Sequence, residues 1–425
     1  MRMNRRKFLY LTAGAAAGAA AWHYWPDEGF WNPCPSATLP RLLAEHEVVR
    51  AAWDGIDPLQ VWDGHVHLAG TGDSGSGMWA SPKMDTLRHP LQWLQKKFYL
   101  NASCTERPGE TDRDYVGRLL ALLEDFRPGP KLLLLAFDWA HDSAGLRRED
   151  LSAFYAPNEY AAALAQKHPQ FEWIASIHPY RPDALEALDK AAAAGARAVK
   201  WLPPAQGMDP ASPKCDKFYE AMARHGLPLL THAGAEQAVA GGETAGYGNP
   251  LKLRRPMDHG VTVIVAHCAS LGSGTDLDRG PGGPSVSNFD LFVRLMDEAR
   301  YEKRLYGEIS AVTQVNRVGV PLRTLIERSE WHARLLNGSD YPLPAVMPLF
   351  SLQQLTAQRY LSAAQAKVLS DIRRYNPLLF DFVLKRTLRV GQKGFAKEVF
   401  HTRRAFDRAP APPVAPAAPS PVRRK

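Results

Sequence analysis

The sequence predicts an α/β fold, a (β/α)8 TIM barrel, and three observations carry that prediction. Short apolar runs alternate with longer amphipathic stretches from Val61 to about Tyr375. Several of the longer stretches stop at a glycine, as at Gly195, Gly226 and Gly260. The short runs end in polar residues, histidine most often. Buried parallel strands read as continuous apolar runs, and eight strand–helix units close into a ring whose active site lies at the C-terminal strand ends.

In chain order, a short helix from Leu39 to Trp53 leads into a first strand, Val61–Leu68. Residues one apart but one on a strand share a face, so His65 and His67 project together. A long irregular insertion, Ala69–Glu110, follows; it is Gly/Ser-rich at first, then aromatic and basic. Its Trp79, Trp93, Phe98 and Tyr99 suit an ordered cover. After a helix at 113–126 the strands are expected at 131–137, 171–178, 196–202, 227–232, 261–267, 304–309 and 335–340. Helices are expected between them at 157–167, 182–194, 214–225, 250–259, 288–301 and 321–328, with more from Leu352 onward.

The bulk properties narrow the function. A chain of 425 residues, 45% hydrophobic and 23% charged, is a globular protein with a large core. Its net charge of +8 is concentrated at the ends, and without Arg2, Arg5, Arg6, Lys7, Arg423, Arg424 and Lys425 it falls to about +1. No basic face for nucleic acid is implied. The four cysteines, Cys34, Cys104, Cys215 and Cys268, make no zinc spacing, and any pairing among them is open.

Asn4-Arg5-Arg6-Lys7-Phe8-Leu9 precedes a weakly apolar Ala/Gly-rich run to Ala21. This resembles a twin-arginine export signal, which implies passage through that machinery to the periplasm, or a membrane anchor if the segment is not cleaved. The expected organisation is a signal over 1–21, an extension over 22–57, the barrel over 58–395 and a Pro/Ala-rich tail over 409–425.

The strand ends supply His65, His67, Lys200, His232, His267 and Asp340. Several histidines plus a carboxylate at one mouth make a nitrogen/oxygen site for a divalent metal, with zinc the commonest candidate. His178, Arg181 and Trp201 could also reach the mouth as substrate-binding groups; Asp138, His141, Asp142 and Glu308 rank behind them.

Asp63-Gly64-His65-Val66-His67, Val199-Lys200-Trp201-Leu202-Pro203-Pro204, Leu230-Thr231-His232-Ala233-Gly234, Val265-Ala266-His267-Cys268 and Gly338-Ser339-Asp340-Tyr341-Pro342 occur in that order. The set resembles the metal-dependent amidohydrolase superfamily, in its branch of decarboxylases, hydratases and lactonases. The resemblance implies His65, His67, His232 and Asp340 as metal ligands, with Asp340 in proton transfer and His267 either a second-metal ligand or a catalytic acid/base. It implies one or two ions, with Lys200 either carbamylated and bridging them or binding substrate. The leading expectation is an exported hydrolase that uses metal-activated water on an ester, lactone or amide of a small molecule. The alternatives are a carbon–carbon lyase (decarboxylase) or hydratase on a carboxylated substrate held by Arg181 or Lys200, and a non-catalytic metal-binding envelope protein. A homo-oligomer is compatible with all three.

Overall fold

The computed structural model describes residues 26–35, 38–105, 107–235 and 242–407. The export segment and the Pro/Ala-rich tail lie outside the described residues. Eight strands form a ring: β1 Trp62–His67, β2 Lys131–Leu135, β3 Phe171–Ile174, β4 Val199–Trp201, β5 Leu229–His232, β6 Val263–Ala266, β7 Leu305–Glu308 and β8 Leu335–Leu336. β1 to β3 pair in parallel in one sheet and β4 to β8 in another. Parallel bridges from Ala175 to Val199 and from Val66 to Tyr341 join the two sheets. The joined ring leaves no edge strand to solvent.

The expected strand at 335–340 is only two residues long. Asp340 has φ +60°, outside the extended region, so regular pairing stops before it. The segment still follows β1 through Asn337 and Tyr341. Gly64 N–H donates to Asn337 O at 3.2 Å and His67 N–H to Tyr341 O at 2.9 Å, while Asp340 N–H donates to His65 O at 2.8 Å.

The insertion after β1 is not irregular as expected. It holds helix α1, Pro90–Ser103, before helix α2, Thr111–Leu123. Pro90 starts α1, where its missing N–H costs nothing, and Cys104 ends it in the left-handed conformation. Only Ala102 and Ser103 of α1 are buried. The burial periodicity that identifies a helix in a sequence was therefore absent. Trp79–Ala80 pairs with Phe154–Tyr155 in a small antiparallel ribbon beside it.

Helix α3, Asp216–His225, covers β4, and α4, Pro377–Thr387, packs against Trp53 of the extension through Phe382 at a ring separation of 4.5 Å. Asn376 caps α4 by accepting from Leu379 N–H at 2.9 Å. Helix α5, Arg403–Phe406, closes the bottom of the barrel. Phe406 packs with Trp62, Leu133, Ile174, Leu230, Ile264 and Leu336 in the barrel interior. A Cβ at Gly64 would stand 3.1 Å from the Phe406 ring, so this position stays bare.

Trp62 faces that lower core, yet His65, an odd number of residues later, also faces inward. An irregularity in the register between Asp63 and Val66 accounts for the change of phase. Asp63 pins it, because its Oδ1 accepts from His65 N–H at 3.1 Å and Ser339 N–H at 2.8 Å. Burial pushes the Asp63 carboxyl up to about 6, although those hydrogen bonds oppose the shift.

The sequence left cysteine pairing open. Cys34 and Cys104 form a disulfide that ties the extension to the end of α1, while Cys215 and Cys268 are buried free thiols. The bond closes a sequence separation of 70 residues. Cys34→Ser with Cys104→Ser is expected to cost about 2–4 kcal/mol, since the crosslink restricts the unfolded chain. Thermal unfolding with and without reductant checks this. The double variant should melt at the lower midpoint that reductant imposes on the native chain.

Candidate metal centre

Four imidazole and carboxylate groups converge at the upper end of the ring. Asp340 Oδ1 lies 3.0 Å from His67 Nε2 and 3.4 Å from His65 Nε2. Its Oδ2 lies 3.8 Å from His267 Nε2. Lys200 Nζ is 3.2 Å from His65 Nε2. All but His67 are buried; the His67 side chain is 27% exposed and marks the side open to solvent.

The opposite edges of two imidazoles are already committed. His65 Nδ1 is 2.9 Å from Glu308 Oε2, and His267 Nδ1 is 2.8 Å from Ser310 Oγ. Ser310 Oγ–H donates to Glu308 Oε2 at 2.6 Å, and the Ser310 backbone N–H also donates to Glu308. Glu308 can only accept, so one proton arrangement satisfies the chain: His65 Nδ1–H to Glu308, His267 Nδ1–H to Ser310, and Ser310 O–H to Glu308. Both Nε2 lone pairs then face Asp340.

Electrostatics supports that arrangement. Burial pulls His65 below its ordinary value, and the Lys200 ammonium adds to the effect. Burial holds His267 well below 6.5. Both rings are therefore neutral, as metal ligands must be. Burial raises Asp340, and the carboxyl falls below its usual range only where positive charge on His65, His267 and His67 opposes burial, charge that a bound cation would supply beside neutral rings. Glu308 likewise stays below its usual value because His65 and Ser310 hydrogen bonds outweigh its desolvation.

The first of two close groups fits a divalent cation: the donor atoms of His65, His67 and Asp340 all lie within 4.8 Å of one another, whereas in the second, His65, His267 and Glu308, hydrogen bonds already occupy the facing atoms. The clearance is built in: a Cβ at Gly338 would come within 2.7 Å of both His65 Cβ and Glu308 Oε1.

Other expected site residues are placed differently. His232 lies beside the cluster, its ring 5.4 Å from that of His267, with Nε2 3.3 Å from Ala235 O; it is in neither donor group. Trp201 is not a pocket wall. Strand alternation sends Lys200 into the barrel and turns Trp201 outward, where it packs fully buried on Phe218 and Tyr219 of α3. Its Nε1–H donates to Ile177 O at 2.9 Å. His178 and Arg181 belong to a separate network. His178 N–H and Arg181 Nη1 donate to Asp138 Oδ2 at 2.8 and 2.9 Å, and Arg181 Nη2 pairs with Asp183 at 2.7 Å. The His178 ring is fully buried against His141, with Nε2 on Gln206 O at 3.1 Å.

Glu308 is more central than its rank in the sequence suggested. Its signal was an acidic residue closing an apolar strand. Ser310 gave no signal, because a serine two residues past a strand end is ordinary loop chemistry, and Asp63 stood in the first motif without a role.

A ring of strand-end imidazoles and a carboxylate inside a (β/α)8 barrel defines a metal-binding enzyme site. Residues 62–378 match the family model described as amidohydrolase, and the chain belongs to that family. Members of this family typically bind a divalent metal. No curated protein matches the chain. Among solved structures, it is similar to an uncharacterised TIM-barrel protein from Bordetella bronchiseptica at 15% identity, covering 68% of this chain and 88% of that one, with TM-score 0.42. A probable 2-pyrone-4,6-dicarboxylic acid hydrolase from Acinetobacter baumannii gives 14%, 67%, 84% and 0.42. The 5-carboxyvanillate decarboxylase of Sphingomonas paucimobilis gives 12%, 82%, 99% and 0.45.

Glu308→Gln keeps the volume but removes the charge and turns one of the two acceptor oxygens, which serve His65 and Ser310, into a donor. It is expected to lower metal affinity by roughly 10–100-fold, the usual effect of losing a carboxylate behind a ligand histidine. Competition against a chromogenic chelator reads this directly, with circular dichroism as the folding control.

Proposed function

We propose that the chain is an exported metal-dependent hydrolase of a small-molecule ester, lactone or amide. The observation that carries the reading is Asp340, a buried carboxylate placed among the Nε2 edges of three histidines. His65, His67 and Asp340 would hold a divalent ion, with His267 completing the pocket and zinc the expected metal. The ion supplies Lewis acidity, which polarises a carbonyl and lowers the pKa of water from about 15.7 to about 7.

The chain's own groups do the rest. Asp340 takes the proton of the attacking water on the carboxylate edge that faces His67, then returns it to the leaving oxygen or nitrogen. Neutral His267, fixed by Ser310, turns its Nε2 lone pair toward the other carboxylate oxygen, 3.8 Å away, and so toward the position an ion would take. Lys200 donates into the same pocket from β4, toward the developing oxyanion. A carbamate on Lys200 would add oxygen donors and a second ion.

The lyase reading places a substrate carboxylate on Arg181 or Lys200. Arg181 is engaged by Asp138 and Asp183 and is committed within the protein, which leaves Lys200 as the group that reading would use. Export is supported independently by the Cys34–Cys104 bond, since disulfides persist in oxidising compartments.

Asp340→Asn is expected to lower hydrolysis by roughly 10²–10⁴-fold, the range for a lost general acid–base group. Chelation should abolish acid release from lactones and esters, and zinc should restore it. Carbon dioxide release from carboxylated substrates without any such hydrolysis would replace this reading with the lyase. For export, Arg5→Lys with Arg6→Lys should keep the chain in the cytoplasm, as cell fractionation would show.

A further inference from the structure

Helix α1 lies on the surface, with Leu91 and Leu94 uncovered and Phe98 half-buried against the core. Leu91, Leu94 and Phe98 fall at helical spacing along one stripe, and Leu87 precedes them. Leu91 is 81% exposed, Leu87 70% and Leu94 40%. Single exposed leucines are ordinary, but a continuous stripe on a 14-residue helix with two buried residues calls for a covering partner. The stripe extends onto the N-terminal segment, where Trp31, 50% exposed, stacks on Phe98 with ring centroids 4.9 Å apart.

That segment is held to α1 at two further points. Asn32 N–H donates to Asn101 Oδ1 at 2.8 Å and Asn101 Nδ2 donates back to Asn32 O at 3.1 Å. The Cys34–Cys104 disulfide lies just beyond. Nearer its start the same segment is anchored elsewhere, with Asp27 accepting from Ser351 Oγ–H at 2.7 Å and Gln353 N–H at 2.8 Å and Glu28 paired with Arg373.

The rim is basic. Arg88 and Lys97 are exposed, and Lys97 Nζ stands 5.8 Å from the Trp93 ring centre. Lys96 is paired with Asp85 at 2.6 Å. Leucine and tryptophan flanked by lysine and arginine match a lipid interface, where apolar side chains enter the headgroup boundary and cations meet anionic lipid. No helix of the described residues is long and apolar enough to cross a membrane, so α1 would lie on a bilayer rather than span it.

We propose that the stripe Trp31, Leu87, Leu91, Leu94 and Phe98 docks the folded chain on an anionic membrane surface. The proposal uses no feature of the metal centre. α1 also packs against the turn Leu343–Ala345, which follows Asp340, so the docked face borders the barrel mouth.

The test compares the full chain with a Leu87→Asp, Leu91→Asp, Leu94→Asp variant in co-sedimentation with phosphatidylglycerol/phosphatidylcholine vesicles. Both carry the same N-terminal run, so a difference reports the stripe alone. The variant is expected to bind roughly tenfold or more weakly. Native binding should fall at high salt, and native tryptophan emission should shift to the blue on vesicles. Equal binding by the two chains, or no binding by either, overturns the proposal. So does light scattering that shows a dimer lost in the variant while vesicle binding is unchanged, which would make a second copy the occupant. Unchanged circular dichroism and metal content exclude misfolding, and Trp31→Ser repeats the comparison at a site off the helix.

Discussion

The buried carboxylate of Glu308 sets the geometry on which the site depends. A carboxylate with no exposure is costly unless each oxygen is hydrogen-bonded. Here the chain provides an imidazole N–H, a hydroxyl and a backbone N–H, from His65 and Ser310. Each of those bonds also fixes something else. The first selects the tautomer of His65. The hydroxyl, turned toward Glu308, leaves its lone pairs to accept from His267 Nδ1–H. One acceptor on β7 thus orients ligand candidates on β1 and β6. Gly338 is bare for the same reason, because any side chain there would enter the space between Glu308 and His65.

Beneath this network the barrel is rigid, and above it the backbone is strained. The strands end where their residues leave extended geometry: His267, Cys268 and Ala269 have φ of +55°, +50° and +49°, Ala311 +57° and Asp340 +60°. Such conformations each cost on the order of 1–3 kcal/mol in residues with a Cβ, and they persist where packing over-determines them. The lower core supplies that support. Trp62, Leu133, Ile174 and Phe406 fill the barrel interior, and Asp63 locks the β1 irregularity to Ser339. Strain and support meet within a few residues on β1 and β8, the strands that deliver His65, His67 and Asp340.

Much of the fold was legible because eight apolar runs alternate with amphipathic ones, a pattern that buried parallel strands impose directly. The strand ends were legible because His65, His67, His267 and Asp340 are polar residues closing apolar runs. The failures have specific causes. Helix α1 buries almost nothing, so it had no burial stripe to recognise. Trp201 was taken toward the mouth because it neighbours Lys200, whereas alternation puts adjacent strand residues on opposite faces. His178 and Arg181 are polar residues near a strand end that bond to one another's neighbours, and only coordinates separate such a network from a ligand site. Cys34 and Cys104 pair because α1 brings residue 104 back to the extension, a contact no spacing encodes.

The same helix connects the two ends of the structural argument. An enzyme on a barrel gains specificity from what covers its mouth, and here the cover is an insertion after β1 whose inner end is stapled to the N-terminal extension. The disulfide and the paired asparagine bonds tie that extension to α1, while Phe98, Tyr99 and Ala102 seat the inner side of the helix on the core. This leaves its leucines free for a surface outside the protein. Placing the crosslink at the C-terminal end of α1, beside Ala102 and Ser103, is what permits the remaining turns to present an apolar face outward while staying in register with the mouth.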